Sequence, residues 1–538
     1  MRKSCRVALG VLLLSISWGW VSGARAADAA SAPGDLLALG RALYLEGRRA
    51  DGSPLVAGRA GGLLLTGADA ACVNCHRRSG LGGAEGRSYI PPVTAAALFT
   101  AMPSGKGPSA IGDGRPAYTQ ASLGHALRAG VDASGRSLDF LMPRYRLQDR
   151  EVMALQAYLR GLPQAGAADA GVLHFATVIA PEVPRERSEA MLGVLQACFD
   201  EHNAGPQPES GRRKLAADMG QREGRKWQLH VWQLQGPQDT WERQLAQRAG
   251  DQPVFALLGG IGSQWQPVHG FCERTGVPCL FPHVEAPVTE AAGFYPLYLG
   301  KGALLEAGLV ARDVVRHAGT GARVTQVLRG HDAAAEAAAD ALRRALAEQG
   351  VATRELRLPA QAPLTPDSLA PVQAHDILVL WLRPADLQQL ATVTPAAARV
   401  YLSATLAQQD ELPLPAAWKA RTLVAYPFEL PHLRSARMGL LRRWLHARGL
   451  APAHERVQAD AYVACKALDT AMIEAQDHLG RDYLVERLEV NMERSTATGL
   501  YPRLALGIGQ RFASKTGYLV RFDVQSGGLV AVGERTAP

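Results

Sequence analysis

Five residues constrain this chain more than any others. Cys72-Val73-Asn74-Cys75-His76 places two thiols three positions apart and a histidine directly after the second. Covalent haem attachment needs that spacing: the thiols add to the two vinyl groups, and His76 can then bond the iron from the proximal face. A redox Cys-x-x-Cys pair needs no following histidine. A zinc site needs a second ligand pair, and none follows at suitable spacing.

An iron held by one histidine commonly takes a second axial ligand, and a methionine thioether there raises the potential. Met142 stands in Leu141-Met142-Pro143-Arg144-Tyr145. Beyond it a helix is predicted, with Asp149 as N-cap and Val152, Leu155, Tyr158 and Leu159 on one face. Residues 35–50 predict an earlier helix striped by Leu36, Leu37, Leu39, Leu43 and Tyr44, with Gly40 marking a close helix crossing. Residues 79–118 are rich in Gly and Pro and read as loops, and Ser122 to Ala129 as a short helix. The order from Cys72 through Met142-Pro143 to Tyr158-Leu159 resembles the class I cytochromes c over residues 35–162. The resemblance implies a small all-α domain carrying one haem c, with His76 and Met142 as iron ligands. Met102, also followed by proline, and Met153 are rival sulfurs; Met153 reads as a core residue on a helix face. A haem with both axial positions filled has no open site for substrate, so electron transfer is expected and an enzyme is not.

Residues 1–26 read as a signal peptide. Arg2, Lys3 and Arg6 precede the apolar run Val7 to Ile16, and Ala24-Arg25-Ala26 is a small-residue cleavage signature. The run is too short to span a bilayer, and no other run is long enough. Cys5 would leave with the segment. The mature protein is expected to be periplasmic, without a membrane span. The net charge of +8 falls to about +4 once the four basic residues of this segment are removed. With no dense basic tract, nucleic-acid binding is not expected. Arg77, Arg78 and Arg87 are either a basic rim for an acidic redox partner or solvated surface charge.

Residues 163–170 have linker composition. From 171 to 538 the pattern changes. Val172–Ile179 reads as a strand, 185–203 as a helix, 227–232 as a strand, 240–248 as a helix, and 254–260, 265–275 and 277–281 as strand, helix and strand. The alternation returns through 324–328, 333–348, 376–382, 387–393 and 400–402. Such alternation predicts parallel sheets covered by helices, and some 370 residues exceed one comfortable core, so two lobes are expected. The order of elements, the unit around Gly259-Gly260-Ile261-Gly262-Ser263, Thr275-Gly276-Val277-Pro278 and the late helix at Ala459–Ala464 resemble the type I periplasmic binding proteins, which include branched-chain amino-acid receptors. In that family the ligand lies between the lobes. The resemblance places Ser263, His283, Glu285 and Ser403 at the cleft, Ser263 offering a hydroxyl beside free N–H groups. As a bare sequence, Ser263 reads equally as a helix N-cap. Ser403-Ala404-Thr405 stands where amino-acid receptors carry an acidic residue for the ammonium.

Cys198, Cys272, Cys279 and Cys465 remain. In an oxidising compartment four cysteines allow two disulfides in three connectivities, or four small buried hydrophobes. Cys272–Cys279, across the Gly276 turn, and Cys198–Cys465, on helices that the resemblance puts in one lobe, are favoured.

No Ser-His-Asp arrangement, Walker loop or zinc-protease helix stands in the sequence. The leading expectation is an exported electron-transfer protein with a module that binds a small molecule or docks a periplasmic dehydrogenase. The redox partner would be a quinoprotein dehydrogenase or a terminal cytochrome. The alternative is a solute receptor of an ABC importer or signalling system, with the haem as redox sensor. An enzyme using an open haem site is the third reading. The haem and the cleft are expected to behave independently, as separate domains on a short linker.

Overall fold

The computed structural model describes residues 33–59, 61–85, 88–102, 114–162, 171–205, 225–289, 293–317, 323–408, 412–475, 478–493, 499–523 and 525–537. The expected signal peptide (1–26), the linker (163–170) and Arg87 lie outside them. Two compact units form: one from residues up to Ala71 plus Tyr118–Leu159, the other from Cys72–Ala117 plus Arg160 onward. This division differs from a boundary at the 163–170 linker, because residues 77–79 are tied by charge to helix Arg481–Asn491.

In the smaller unit, helix Pro33–Glu46 crosses helix Asp149–Gly161. Gly40 permits the crossing. A Cβ there would collide with the Ala154 carbonyl and stand 2.8 Å from the Tyr158 Cβ. Val152, Ala154, Leu155 and Leu159 are buried on the second helix. Helix Gln120–Ala129 is capped by Thr119, whose hydroxyl accepts from the Ser122 N–H at 3.1 Å, and ends at Gly130 in the left-handed conformation. The unit is not all-α: Val56–Gly58 pairs antiparallel with Leu64–Thr66 and with Arg144–Tyr145. These strands are two or three residues long, too short for periodicity to register.

Within the larger unit, residues 79–117 are not wholly loop. Gly83–Glu85 and Ser88–Ile90 form a hairpin, and Ala95–Leu98 one helical turn. Two seven-stranded sheets follow. The first contains Val172–Ile179, Lys226–Gln233, Ala256–Leu258, Ile261–Gly262, Cys279–Leu280, His283–Val284 and Pro296–Leu297, all parallel. In the second, Ala352–Leu358, Arg323–Arg329, Ile377–Trp381, Arg399–Ser403 and Thr422–Tyr426 lie parallel, and Tyr518–Phe522 and Leu529–Ala531 extend the edge antiparallel. Parallel strands covered on both faces must be apolar throughout, and Ile377–Trp381 is buried at every position.

The chain crosses between the sheets at 299–302 and again near 427–430. Helices Pro431–His446, Glu455–Ala475 and Arg481–Asn491 follow, and helix Glu455–Ala475 packs on helix Arg185–Ala204 of the first lobe. The Cys198–Cys465 disulfide fastens that pair, with Cα atoms 6.6 Å apart. Cys272–Cys279 closes the turn at Gly276, which adopts the left-handed conformation. A third crossing, near 512–517, returns the chain to the second sheet. No helix among the described residues is long and apolar enough to cross a membrane.

Candidate functional site: a haem-attachment turn and an interlobe cleft

The Cys72–His76 stretch forms one turn of helix. The Cys72 carbonyl accepts from the His76 N–H at 2.9 Å, so Cys72, Cys75 and His76 share a face three and four residues apart. Neither cysteine is disulfide-bonded. His76 is 7% exposed, and its Nδ1 lies 3.0 Å from the Pro91 carbonyl. A proton on Nδ1 donated to that carbonyl leaves the Nε2 lone pair for a metal. Burial holds the imidazole below its usual pKa, against the Pro91 bond, and so favours the neutral form a metal ligand requires. Two thiols and an imidazole so disposed fit a covalently attached haem. Residues 66–163 match the family model for cytochrome c. A cytochrome c domain implies a haem c cofactor.

Of the three methionines, Met142 is half-buried and its carbonyl accepts from Arg144. Met102 and Met153 are 48% and 38% exposed, so Met153 is not the core residue its helix position predicted. Its neighbours Val152, Ala154 and Leu155 take the buried face instead.

The residues after His76 are bound inward. Arg77 pairs with Glu489, Arg78 with Asp482 at 3.6 Å, and Ser79 donates its N–H and hydroxyl to Glu486 at 2.9 and 2.6 Å. The Arg78 guanidinium also lies 4.6 Å from the Phe294 ring centroid. Arg77 and Arg78 are therefore neither solvated surface charge nor a rim open to a partner. Asp482, Glu486 and Glu489 sit four and three apart on one face of helix Arg481–Asn491, a spacing visible in the sequence. Their partners, some 400 residues away, are not. Glu489 binds Arg511 as well. Three residues on, Ser514 donates its N–H to the Leu299 carbonyl at 2.7 Å beside the cleft.

The cleft between the lobes has a cavity of about 200 Å³. His283 and Glu285 line it, as expected; Ser263 and Ser403 do not. His283 Nδ1 meets Asp460 at 2.7 Å, and the other carboxylate oxygen accepts from the Tyr501 hydroxyl at 2.9 Å. Burial, then Asp460, raises the Tyr501 pKa. Glu285 accepts from Gln408 at 2.7 Å and pairs with Arg383 at 2.7 Å. Although burial disfavours the charged form, Glu285 and Asp332 hold the Arg383 pKa above its ordinary range.

Ser263 gives its N–H and hydroxyl to Glu182 at 2.8 and 2.7 Å. The anion cradle thus holds a carboxylate of the chain itself. Ser263 is not the N-cap either, since helix Gln266–Thr275 begins after Trp265. Ser403 is buried: its hydroxyl donates to Glu306 and caps helix Ala404–Ala407, accepting from the Leu406 N–H at 3.1 Å. Thr405 adds two bonds to Glu306, at 2.8 and 2.7 Å. Burial pushes this Glu306 carboxyl up to about 7 against those donors. No group of three or more His, Cys, Asp or Glu among the described residues could hold a metal ion. Arg187, Lys301, Asp460, Tyr501 and Ser514 were missed from sequence. Only Asp460, inside the Ala459–Ala464 helix, had a signal.

Solved structures similar to this chain include a leucine-binding protein from Thermotoga maritima (13% identity, TM-score 0.49, covering 68% of this chain and 99% of that one). Another is a possible leucine/isoleucine/valine-binding protein from Rhodopirellula baltica SH 1 (13%, 0.48, 69% and 98%). A third is an ABC-transporter solute-binding protein from Rhodopseudomonas palustris BisB5, solved with 3,4-dihydroxybenzoic acid (11%, 0.48, 68% and 97%). No curated protein matches the sequence.

Proposed function

We propose that this chain is an exported, non-enzymatic electron-transfer protein with one covalent haem c ligated by His76 and Met142, joined to a solute-binding module. The observation that carries the reading is the single turn that sets Cys72, Cys75 and His76 together, with Nδ1 turned to Pro91 and Nε2 left over. When bound, the haem supplies a one-electron couple whose potential the axial ligands set. The chain's residues fasten it, keep the imidazole neutral and fix its ring. The two lobes with a cleft between them support the module. Its electrons would pass to a quinoprotein dehydrogenase or terminal cytochrome in the periplasm.

The test is haem chemistry in the whole protein. Cys72→Ala with Cys75→Ala should abolish covalent haem, read by acid-acetone extraction, while the two sheets of the larger unit still fold. Met142→Ala should lower the potential and let the reduced protein bind carbon monoxide. A spectrum unchanged in Met142→Ala but altered in Met102→Ala would move the ligand to Met102.

A receptor with the haem as redox sensor is the second reading. The Arg77–Glu489–Arg511 connection favours it, since it joins the turn after His76 to the segment that carries Ser514 into the cleft. A midpoint potential that moves on ligand addition would select it.

A further inference from the structure

We propose that the base of the interlobe cleft binds a small organic carboxylate, seated by Lys301 and Ser514. The inference rests on the solute-binding reading of the larger unit and adds the ligand's chemical class.

Both residues belong to crossings between lobes, Lys301 to the first and Ser514 to the third, and both line the cavity. Ser514 is 1% exposed, and its hydroxyl has no hydrogen-bond partner. The buried Thr177 hydroxyl also lacks a partner, but Ser514 lines the cavity, where an absent ligand is an explanation. The Lys301 ammonium lies 5.4 Å from the Phe512 ring centroid and makes no ion pair among the described residues. A cation and a hydroxyl donor are thus left over on the lining of one cavity.

The acids of the wall are not left over. Asp460 is held by His283 and Tyr501, and Glu285 by Arg383 and Gln408. Glu455 is held by Arg442 at 2.8 Å. An ammonium ligand would find every carboxylate engaged. An anion finds Lys301 and Ser514, and it is kept out of the Ser263 cradle by Glu182. The remaining lining includes Leu299, Leu305, Pro427, Phe428 and Val457. Apolar walls with so few spare donors suit a monocarboxylate with an apolar body better than a phosphate, which needs many donors.

Benzoate, butyrate, benzylamine, benzyl alcohol and inorganic phosphate, titrated into the full haem-loaded chain by calorimetry and thermal shift, separate head group from body. Benzoate or butyrate should bind and raise the melting temperature, and benzylamine should not. Lys301→Gln should weaken carboxylate binding by about tenfold or more, Lys301→Arg should restore most of it, and Ser514→Ala should cost about two- to tenfold. The unliganded melting temperature of each variant shows that it folds. Binding of the amine or alcohol in place of the carboxylates, or equal carboxylate affinity in Lys301→Gln, would overturn the ligand class and leave the module reading intact. No binding by any of the five would overturn both and leave a docking surface.

Discussion

Two regions of the larger unit gather acids against cations, with opposite outcomes. At the turn after His76, Asp482, Glu486 and Glu489 meet Arg77, Arg78, Ser79 and Arg511, and each acid is engaged by at least two donor bonds or pairs. In the cleft, Glu285 and Asp460 are equally saturated, but Lys301 and Ser514 remain. Neither burial nor the presence of charge separates a structural ion cluster from a binding site. What is left over does: in the cluster it is the Arg511 Nε, on a guanidinium whose other nitrogens are bonded to the Phe294 carbonyl and Glu489, whereas the cleft leaves a whole ammonium and a hydroxyl that a ligand can use.

The largest expected effect comes from opening the closed cluster. Glu489→Ala leaves Arg77 and Arg511 buried without their shared partner, and breaking a buried pair in this way costs about 3–5 kcal/mol. Chemical unfolding followed in the haem band and in far-ultraviolet dichroism measures it. Lys301→Gln, in the other region, should cost almost nothing in stability while weakening carboxylate binding by about tenfold or more. If the two variants lost similar stability, what is left over would not be the distinction.

A second test lies beside the cleft at Glu306. Its carboxyl titrates near 7 in the folded protein, against 4.5 for an ordinary glutamate. Between those values the folded chain holds a proton that the unfolded chain has released. Its share of stability is therefore fully present below about pH 4.5 and declines as pH rises through 7, by an amount on the order of 3 kcal/mol. Glu306→Gln keeps the shape without the charge and should flatten that slope, so that the variant gains on the parent at pH 8. A parallel pH–stability curve for parent and variant would show that the Ser403 and Thr405 donors already compensate the carboxylate, as the acids of the closed cluster are compensated.

Much of the frame was legible in sequence because it depends on local pattern. Strand Val172–Ile179 has the predicted bounds, since a β-branched apolar run has few other uses. Gly40 marked a helix crossing because only a missing Cβ lets backbones approach so closely. The haem turn is legible because its three chemical groups are contiguous. What sequence hid depends on pairing at long range. The antiparallel edge Tyr518–Phe522 follows three helices that sit on the other lobe, and nothing local announces that return. Arg77 and Arg78 read as surface because their acids lie some 400 positions away. Ser263 and Ser403 matched a familiar position, yet the chain supplies its own carboxylates there, Glu182 and Glu306, from positions no local pattern connects to them.

The smallest expected effect decides whether the Ser263 cradle belongs to the closed or the open class. Glu182 accepts two donors from Ser263, at 2.8 and 2.7 Å, near the surface, where a hydrogen bond to a charged group is weakened by competing water. Ser263→Ala removes only the hydroxyl and keeps the N–H bond, so stability should fall by about 1 kcal/mol or less. Benzoate affinity should not change, because the ligand sits on Lys301 and Ser514. Glu182→Ala is the sharper partner experiment: it vacates the Ser263 N–H and hydroxyl together and creates a second remainder. If saturation is what shut the cradle, this variant should gain a weak anion site, detected as an additional, salt-sensitive titration step that Ser263→Ala in the same background removes. Loss of benzoate binding in Ser263→Ala alone would instead mean that Glu182 yields to the ligand, and that the cradle is the binding site after all.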